Sequence, residues 1–153
     1  MKYGMVGVAA LLSVVAAAQA SAQTKVRDAV YRGTLVCDKL PFFETTSREA
    51  LEVKIAGSDA KYVLIVRERK ETSFEQGTGK LDGDKISLTG SWSGEDDHYE
   101  SSYSGTFVRR SATLTGTQTW QHDGKSFTRK CTGAIKRPFA VFLPGEGKAD
   151  EKK

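Results

Sequence analysis

The sequence is poor in the residues that most enzymes and metal sites need. It contains two cysteines and two histidines among 153 residues. No Cys-x-x-Cys motif is present, so zinc or thiol redox chemistry lacks its usual spacing. No serine lies in the Gly-x-Ser-x-Gly pattern of a nucleophile elbow. We therefore expect a protein that is not an enzyme and that uses neither a cofactor nor a metal.

Long apolar runs are also absent, except at the amino terminus. Lys2 precedes a short apolar stretch at residues 6–18, and Ala20-Ser21-Ala22 fits the small-residue rule for signal-peptide cleavage. No later stretch is long enough for a membrane span, and no cysteine follows the cleavage site to carry a lipid. We expect residues 1–22 to be a signal peptide and the mature protein to be periplasmic or secreted.

Charge of one sign is not concentrated anywhere in the chain. The formal net charge is +4, and acidic residues are interspersed among the basic ones. Nucleic-acid-binding proteins usually gather Lys and Arg on one face. A nucleic-acid partner is therefore not expected.

The two cysteines, Cys37 and Cys131, are expected to form a structural disulfide bond, because an exported protein matures in an oxidising compartment. The bond would close a loop of about 95 residues. In the chain-entropy model such a loop is worth roughly 4 to 5 kcal/mol. A redox pair or a metal-binding pair is the alternative.

Period-two alternation is what the sequence has in abundance. Between Tyr99 and Ile135, three segments alternate apolar, aromatic or glycine residues with polar ones, and turns at 109–111 and 122–124 join them. Alternation, β-branched residues and an Asp-Gly turn are strong signals of β-hairpins. This stretch is predicted to be a β-meander with one solvent-exposed face.

Five further strands are predicted before the meander, so that residues 23–137 form one all-β domain. Their predicted ranges are 30–38, 50–56, 61–68, 73–81 and 85–93. Eight antiparallel strands form either a closed up-and-down barrel or a two-layer sandwich. A barrel pairs the first strand with the eighth, and Cys37 and Cys131 lie on these two strands with inward parity. We expect a barrel closed by a disulfide, with a β-sandwich as the alternative.

Two short stretches carry a resemblance to a known group. Leu88-Thr89-Gly90-Ser91-Trp92 and Leu114-Thr115-Gly116-Thr117 repeat one pattern, each about nine residues after a glycine. In this repeat and in its predicted topology, the chain resembles the avidin and lipocalin group of small eight-stranded barrels. The resemblance implies a closed cup with a ligand site at one mouth.

Strand direction alternates in a meander, so the loops after the first, third, fifth and seventh strands lie at one end, here called the rim end. Trp92 and Trp120 end their strands there, and the long loop at 39–46 carries Phe42 and Phe43. Both histidines also fall at this end. Residues 95–97 with His98 could hold calcium, but they lack the regular loop spacing of a calcium site, so a solvated acidic turn is expected.

Polar side chains are predicted to point into the barrel below the rim end. Counting back from the turns places Tyr103 opposite Gln118, Gln118 opposite Arg129, and Ser101 opposite Trp120. A buried charge without partners is costly, so these groups form either a structural network closed by a carboxylate or a wet pocket for a small polar or anionic ligand. The candidate ligand-binding residues are Trp92, Tyr99, Ser101, Tyr103, Gln118, Trp120 and Arg129.

Residues 138–153 are expected to lie outside the barrel. An apolar segment at 138–144 is bracketed by prolines, and a charged tail follows that is expected to be disordered. The apolar segment is expected to pack over the far end of the barrel or to bind a partner as a strand.

Taken with the aromatic rim end, these features predict a non-enzymatic exported protein that binds a small polar or anionic ligand there. One alternative is an envelope protein-interaction module, such as an enzyme inhibitor, acting through the rim loops or the C-terminal segment. Another is a hydrolase centred on His98 and His122.

Overall fold

The structure is a computed structural model that describes residues 28–43, 45–68 and 71–138. The predicted signal peptide, residues 1–22, and most of the predicted C-terminal segment, residues 139–153, lie outside the described residues.

Eight consecutive strands form a closed antiparallel barrel, as predicted. Each strand pairs with the next along the chain, and β8 pairs back with β1, which excludes the sandwich alternative. The strands are β1 (Ala29–Cys37), β2 (Ser47–Ala56), β3 (Asp59–Glu68), β4 (Glu71–Asp82), β5 (Lys85–Ser93), β6 (His98–Val108), β7 (Ser111–His122) and β8 (Lys125–Lys136).

Alternation of side chains along each strand separates the core from the solvent. In β2, Leu51, Val53 and Ile55 are buried while their neighbours along the strand are exposed, because successive side chains of a strand point to opposite faces. The same pattern in the other strands fills the barrel interior with side chains. The apolar part of this core lies mainly toward the end of the barrel opposite the rim.

Tight turns join the strands at that opposite end. Gly57 and Gly83 occupy two of them with φ values of 61° and 62°, a region that glycine enters without steric cost. The β6–β7 turn instead uses Arg109-Arg110, with Arg109 at φ 59°.

The position of the β6–β7 turn corrects the predicted register of these two strands. Ser101 pairs with Gln118, not with Trp120, and Tyr103 pairs with Gly116, not with Gln118. The turn is centred one residue earlier than predicted, so every partner shifts by two positions. The predicted pairing of Gln118 with Arg129 is confirmed.

The seam between β1 and β8 carries the disulfide bond. Cys37 and Cys131 are direct partners in the ladder, with Cα atoms 4.0 Å apart, and their sulfurs are bonded. The predicted disulfide is therefore confirmed, and both cysteines are buried.

Two inward glycines make room for one large side chain, Tyr62 on β3. A Cβ added at Gly77 would lie 2.3 Å from the Tyr62 ring, and one added at Gly90 would lie 2.2 Å from its hydroxyl oxygen. These glycines therefore let the tyrosine cross the barrel interior.

Substitution of Gly90 by alanine is expected to destabilise the protein by about 1 to 3 kcal/mol, the usual cost of overpacking a core. The added methyl would also lie 2.6 Å from the backbone oxygen of Gln76, which cannot move away as a side chain can. Urea unfolding followed by tryptophan fluorescence would measure the loss. The exposed neighbour Ser91, changed to alanine, is the matched control and should shift the midpoint little.

Candidate functional site

A buried carboxylate, Glu75 on β4, occupies the centre of the barrel interior. Its side chain is fully buried and accepts hydrogen bonds from five side chains of three other strands. The donors are Tyr62 on β3, Tyr99, Ser101 and Tyr103 on β6, and Gln118 on β7.

Both carboxylate oxygens of Glu75 are engaged. Tyr99 donates its hydroxyl to Oε2 at 2.6 Å, and Ser101 donates to Oε1 at 2.5 Å. Tyr103 bridges the two oxygens at 3.2 Å each. Hydrogen bonds to an ionised acceptor are stronger than those between neutral groups. The network therefore stabilises the barrel interior, and neither oxygen of Glu75 is left without a donor.

Three tyrosines of this network are held as hydrogen-bond donors. Burial raises the pKa of Tyr62, Tyr99 and Tyr103 far above the usual value of a phenol, and the Glu75 carboxylate raises each pKa further. Their hydroxyl groups therefore stay protonated at any physiological pH.

Gln118 connects this network to the buried cation of the barrel, Arg129 on β8. The amide of Gln118 donates to Tyr103 Oη at 2.8 Å and to Glu75 Oε2 at 3.2 Å. Its carbonyl oxygen accepts from Arg129 Nε at 2.7 Å. The Gln118 side chain thus bridges the Glu75 carboxylate and the Arg129 guanidinium, which do not hydrogen-bond to each other in the described residues.

Arg129 has one nitrogen without a hydrogen-bond partner among the described residues. Its Nη1 atom is buried and makes no hydrogen bond there, while the guanidinium carbon lies 5.0 Å from the centre of the Trp120 ring. Burial lowers the pKa of Arg129, and the nearby tyrosines, Glu49 and Glu75 act in the opposite direction. The guanidinium is therefore buried and can still donate a hydrogen bond from Nη1.

Aromatic rings close the rim end above Arg129. Tyr99 lies 4.4 Å from Trp120 and 5.5 Å from Trp92, measured between ring centres. Phe43 packs edge-on against Trp120 at 5.3 Å. The two indoles lie 5.4 Å apart, at one end as the sequence predicts, but they are buried rather than lining an open mouth.

All seven candidate ligand-binding residues are buried and lie in this interior. Sequence reasoning missed the acceptor that organises them. Glu75 shares a strand face with the inward Gly77, two positions later, so the period-two alternation of β4 carried the signal that its side chain points inward.

The two histidines of the rim end do not share a face of the sheet. His98 precedes the inward residue Tyr99 by one position and is exposed, whereas His122 has the parity of the inward residue Trp120. His122 Nδ1 lies 2.6 Å from Asp97 Oδ1. A carboxylate thus orients the imidazole of His122, and the imidazole of His98, on the neighbouring strand, lies on the opposite face of the sheet.

The acidic loop at 95–97 forms a tight turn. Gly94 N donates to the backbone oxygen of Asp97 at 2.7 Å. Within the part of the chain that the structure describes, no group of three or more His, Cys, Asp or Glu residues is placed to hold a metal ion. No helix with the length and apolar character of a membrane span occurs among the described residues.

Comparison of the chain with protein-family models and with curated proteins finds no match. What the structure shows is the coarser part of the predicted resemblance: the chain is a closed, eight-stranded antiparallel β-barrel.

Proposed function

We propose that the protein is an exported, non-enzymatic binding protein that takes a small ligand at the rim end, with a carboxylate or another strongly polar oxygen of the ligand on Arg129. The observation that carries this proposal is the buried Nη1 atom of Arg129, which has no hydrogen-bond partner in the described residues. A buried donor left unsatisfied costs about 1 to 3 kcal/mol. A ligand oxygen that accepts from Nη1 recovers this energy.

The acceptors closest to Arg129 in the network are already in use. Gln118 Oε1 accepts from Arg129 Nε and from Trp120 Nε1, and the oxygens of Glu75 accept from five donors. An external acceptor is therefore the chemistry that Arg129 can still accommodate.

The surroundings of Arg129 fit the apolar part of such a ligand. The Trp120 ring packs against the guanidinium from the rim side, and Phe42 lies 5.3 Å from Phe127 at the same end. Ligand sites combine an apolar lining with a few convergent polar groups. Among the seven candidate residues, Arg129, Trp92, Tyr99 and Trp120 face the ligand in this proposal, while Ser101, Tyr103 and Gln118 hold the floor beneath it through Glu75.

The test uses benzoate as the probe and benzamide as its uncharged counterpart, with inorganic phosphate as a second anion. Tryptophan fluorescence and the melting temperature report binding, because the indoles of Trp92 and Trp120 lie in the aromatic cluster. Benzoate is expected to change the fluorescence of the wild-type protein and to bind at least 10-fold more tightly than benzamide, since hydrogen bonds to charged groups contribute about 1.5 to 3 kcal/mol.

Two variants decide the role of Arg129. Arg129→Lys keeps the positive charge but removes the planar fork of donors, so benzoate affinity should fall by 10-fold or more. Arg32→Gln is the matched control, because Arg32 is exposed on the outer surface, and its affinity should equal that of the wild type. Equal benzoate affinity in Arg129→Lys and the wild type, or no response to either anion, would overturn the proposal and favour a protein partner at the rim loops.

A further inference from the structure

A short segment of the β1–β2 loop, Leu40–Phe43, covers the aromatic cluster of the rim end. Leu40 is 3% exposed, and Phe43 N donates to Leu40 O at 3.0 Å, which folds the segment into a turn. Phe42 lies 6.0 Å from Trp120, measured between ring centres. The hydrogen bond within the segment is local, so its hold on the barrel comes from side-chain packing.

The closest ring contact of the segment is with a titratable side chain. Phe42 stacks on His122 with ring centres 4.0 Å apart and an angle of 17° between the planes. His122 also lies 2.6 Å from Asp97. The carboxylate therefore orients the imidazole whose face carries Phe42.

Most charged groups near His122 are acidic, whereas its ladder partner on β8, the exposed Lys125, is basic. Asp97 and Asp96 belong to the β5–β6 loop, and Asp123, whose Oδ2 is 3.5 Å from His122 Nε2, belongs to the β7–β8 turn. The β1–β2 loop contributes the neutral ring of Phe42. A cation is attracted to the face of an aromatic ring, so the protonated imidazole holds Phe42 more strongly than the neutral one.

We propose that Leu40–Phe43 is a gate over Arg129 and the indoles, latched by the stacking of Phe42 on the protonated ring of His122. A ligand would reach the site through this gate, so the role of the gate in binding rests on the proposed function. Its opening can be measured without any ligand.

The direction of the pH dependence follows from the charges around His122. The hydrogen bond that the His122 ring donates to Asp97 is the main reason that the pKa of His122 lies above its usual value, and the charges of Asp97, Asp123 and Asp96 act in the same direction. The latch is therefore complete at acidic pH, and it weakens as the pH rises through the pKa of His122 in the folded protein. Alkaline conditions favour the open gate.

Acrylamide quenching of tryptophan fluorescence in the ligand-free, full-length protein tests the gate between pH 5 and pH 9. Acrylamide is uncharged, so its approach does not depend on the charge of the rim. The quenching constant of the wild type is expected to rise about two-fold or more across this range. Asp97→Asn should move the midpoint of the rise to lower pH.

Further variants separate the latch from general loosening of the fold. His122→Phe keeps a ring under Phe42 but never carries a charge, so its quenching should be independent of pH and close to that of the wild type at pH 9. Phe42→Ala should give high quenching at every pH. His98→Ala and Phe74→Ala, at exposed positions, should behave as the wild type. Far-UV circular dichroism of each variant checks that the barrel is folded.

A flat quenching profile in the wild type, or a profile in His122→Phe that still rises with pH, would overturn the gate. A failure of the gate can be told apart from a failure of ligand binding. If benzoate does not bind but quenching follows His122, the gate stands and the proposed function falls. If benzoate binds through Arg129 while quenching is flat, the function stands and the gate falls.

Discussion

Replacement of Glu75 by glutamine is expected to lower the free energy of unfolding by about 3 to 5 kcal/mol, the range for removing one charged member of a buried polar network. The carboxylate accepts from five donors, and among them Tyr99 approaches one oxygen at 2.6 Å. An amide has one oxygen and one NH2 group in place of two oxygens, so hydroxyl donors would face a second donor. Their buried hydrogens would lose an acceptor and gain no partner.

Equilibrium unfolding in urea, followed by tryptophan fluorescence and by circular dichroism, measures this loss. Glu52→Gln is the matched control, because Glu52 pairs with Arg32 at 2.8 Å on the exposed face, where both side chains are about half exposed or more. Exposed pairs contribute about 0 to 1 kcal/mol. If Glu75→Gln loses no more stability than Glu52→Gln, the interior network is not what holds the barrel together at its centre.

The same network decides which part of the interior is available to a ligand. Glu75 and Glu49 are both buried carboxylates, and the donors around Glu75 are used in holding it. An anionic ligand at this level would meet a charge of its own sign. Gln118 hydrogen-bonds to the Glu75 carboxylate through its nitrogen and to Arg129 through its oxygen, so the proposed site is on the Arg129 side of the amide.

Strand number, closure and the disulfide could be predicted because each depends on a regular feature of the sequence. Period-two alternation marks a strand wherever one face is buried. Closure was predicted because Cys37 and Cys131 have inward parity on the first and eighth strands, which a closed barrel makes neighbours. These features are local, apart from the single pairing of the cysteines.

The register of β6 and β7 could not be predicted in the same way. A two-residue hairpin turn usually shows itself by glycine or asparagine at positions of positive φ, and here Arg109 takes that conformation. Without the marker, the turn is placed one residue late and Tyr103 is set opposite the wrong partner. The error changed which side chains were thought to meet, although all of them do face inward.

The closed rim end and the role of Glu75 depend on distant parts of the chain. Gln118 is 43 residues from Glu75 in sequence, and alternation along β4 does not show which distant donors the carboxylate meets. Phe42 reaches Trp120 and His122 through the shape of a loop. Contacts of this kind follow from tertiary packing, which the alternation of residues along a strand does not reveal.

Loss of the disulfide is the other large effect that the fold predicts. The bond joins residues 94 apart in sequence, and the chain-entropy model assigns about 4 to 5 kcal/mol to a loop of that length. It also lies at the weakest place in the barrel wall: the β1–β8 ladder has six residue pairs, whereas the β7–β8 ladder has twelve. The double variant with Cys37→Ser and Cys131→Ser is therefore expected to lose about that much free energy of unfolding.

Urea unfolding of the double variant beside the oxidised wild type measures the loss without leaving a free thiol. Hydrogen exchange then locates the loss by comparing amides of the β1–β8 seam with those between β3 and β4, on the far side of the barrel. If the chain-entropy model is right, the bond acts chiefly on the unfolded chain, so seam and far-side amides will lose protection by the same factor. A selective loss at the seam instead assigns part of the stabilisation to the folded wall, because β1 then opens from β8 without unfolding the rest. A double variant within about 1 kcal/mol of the wild type would contradict both mechanisms.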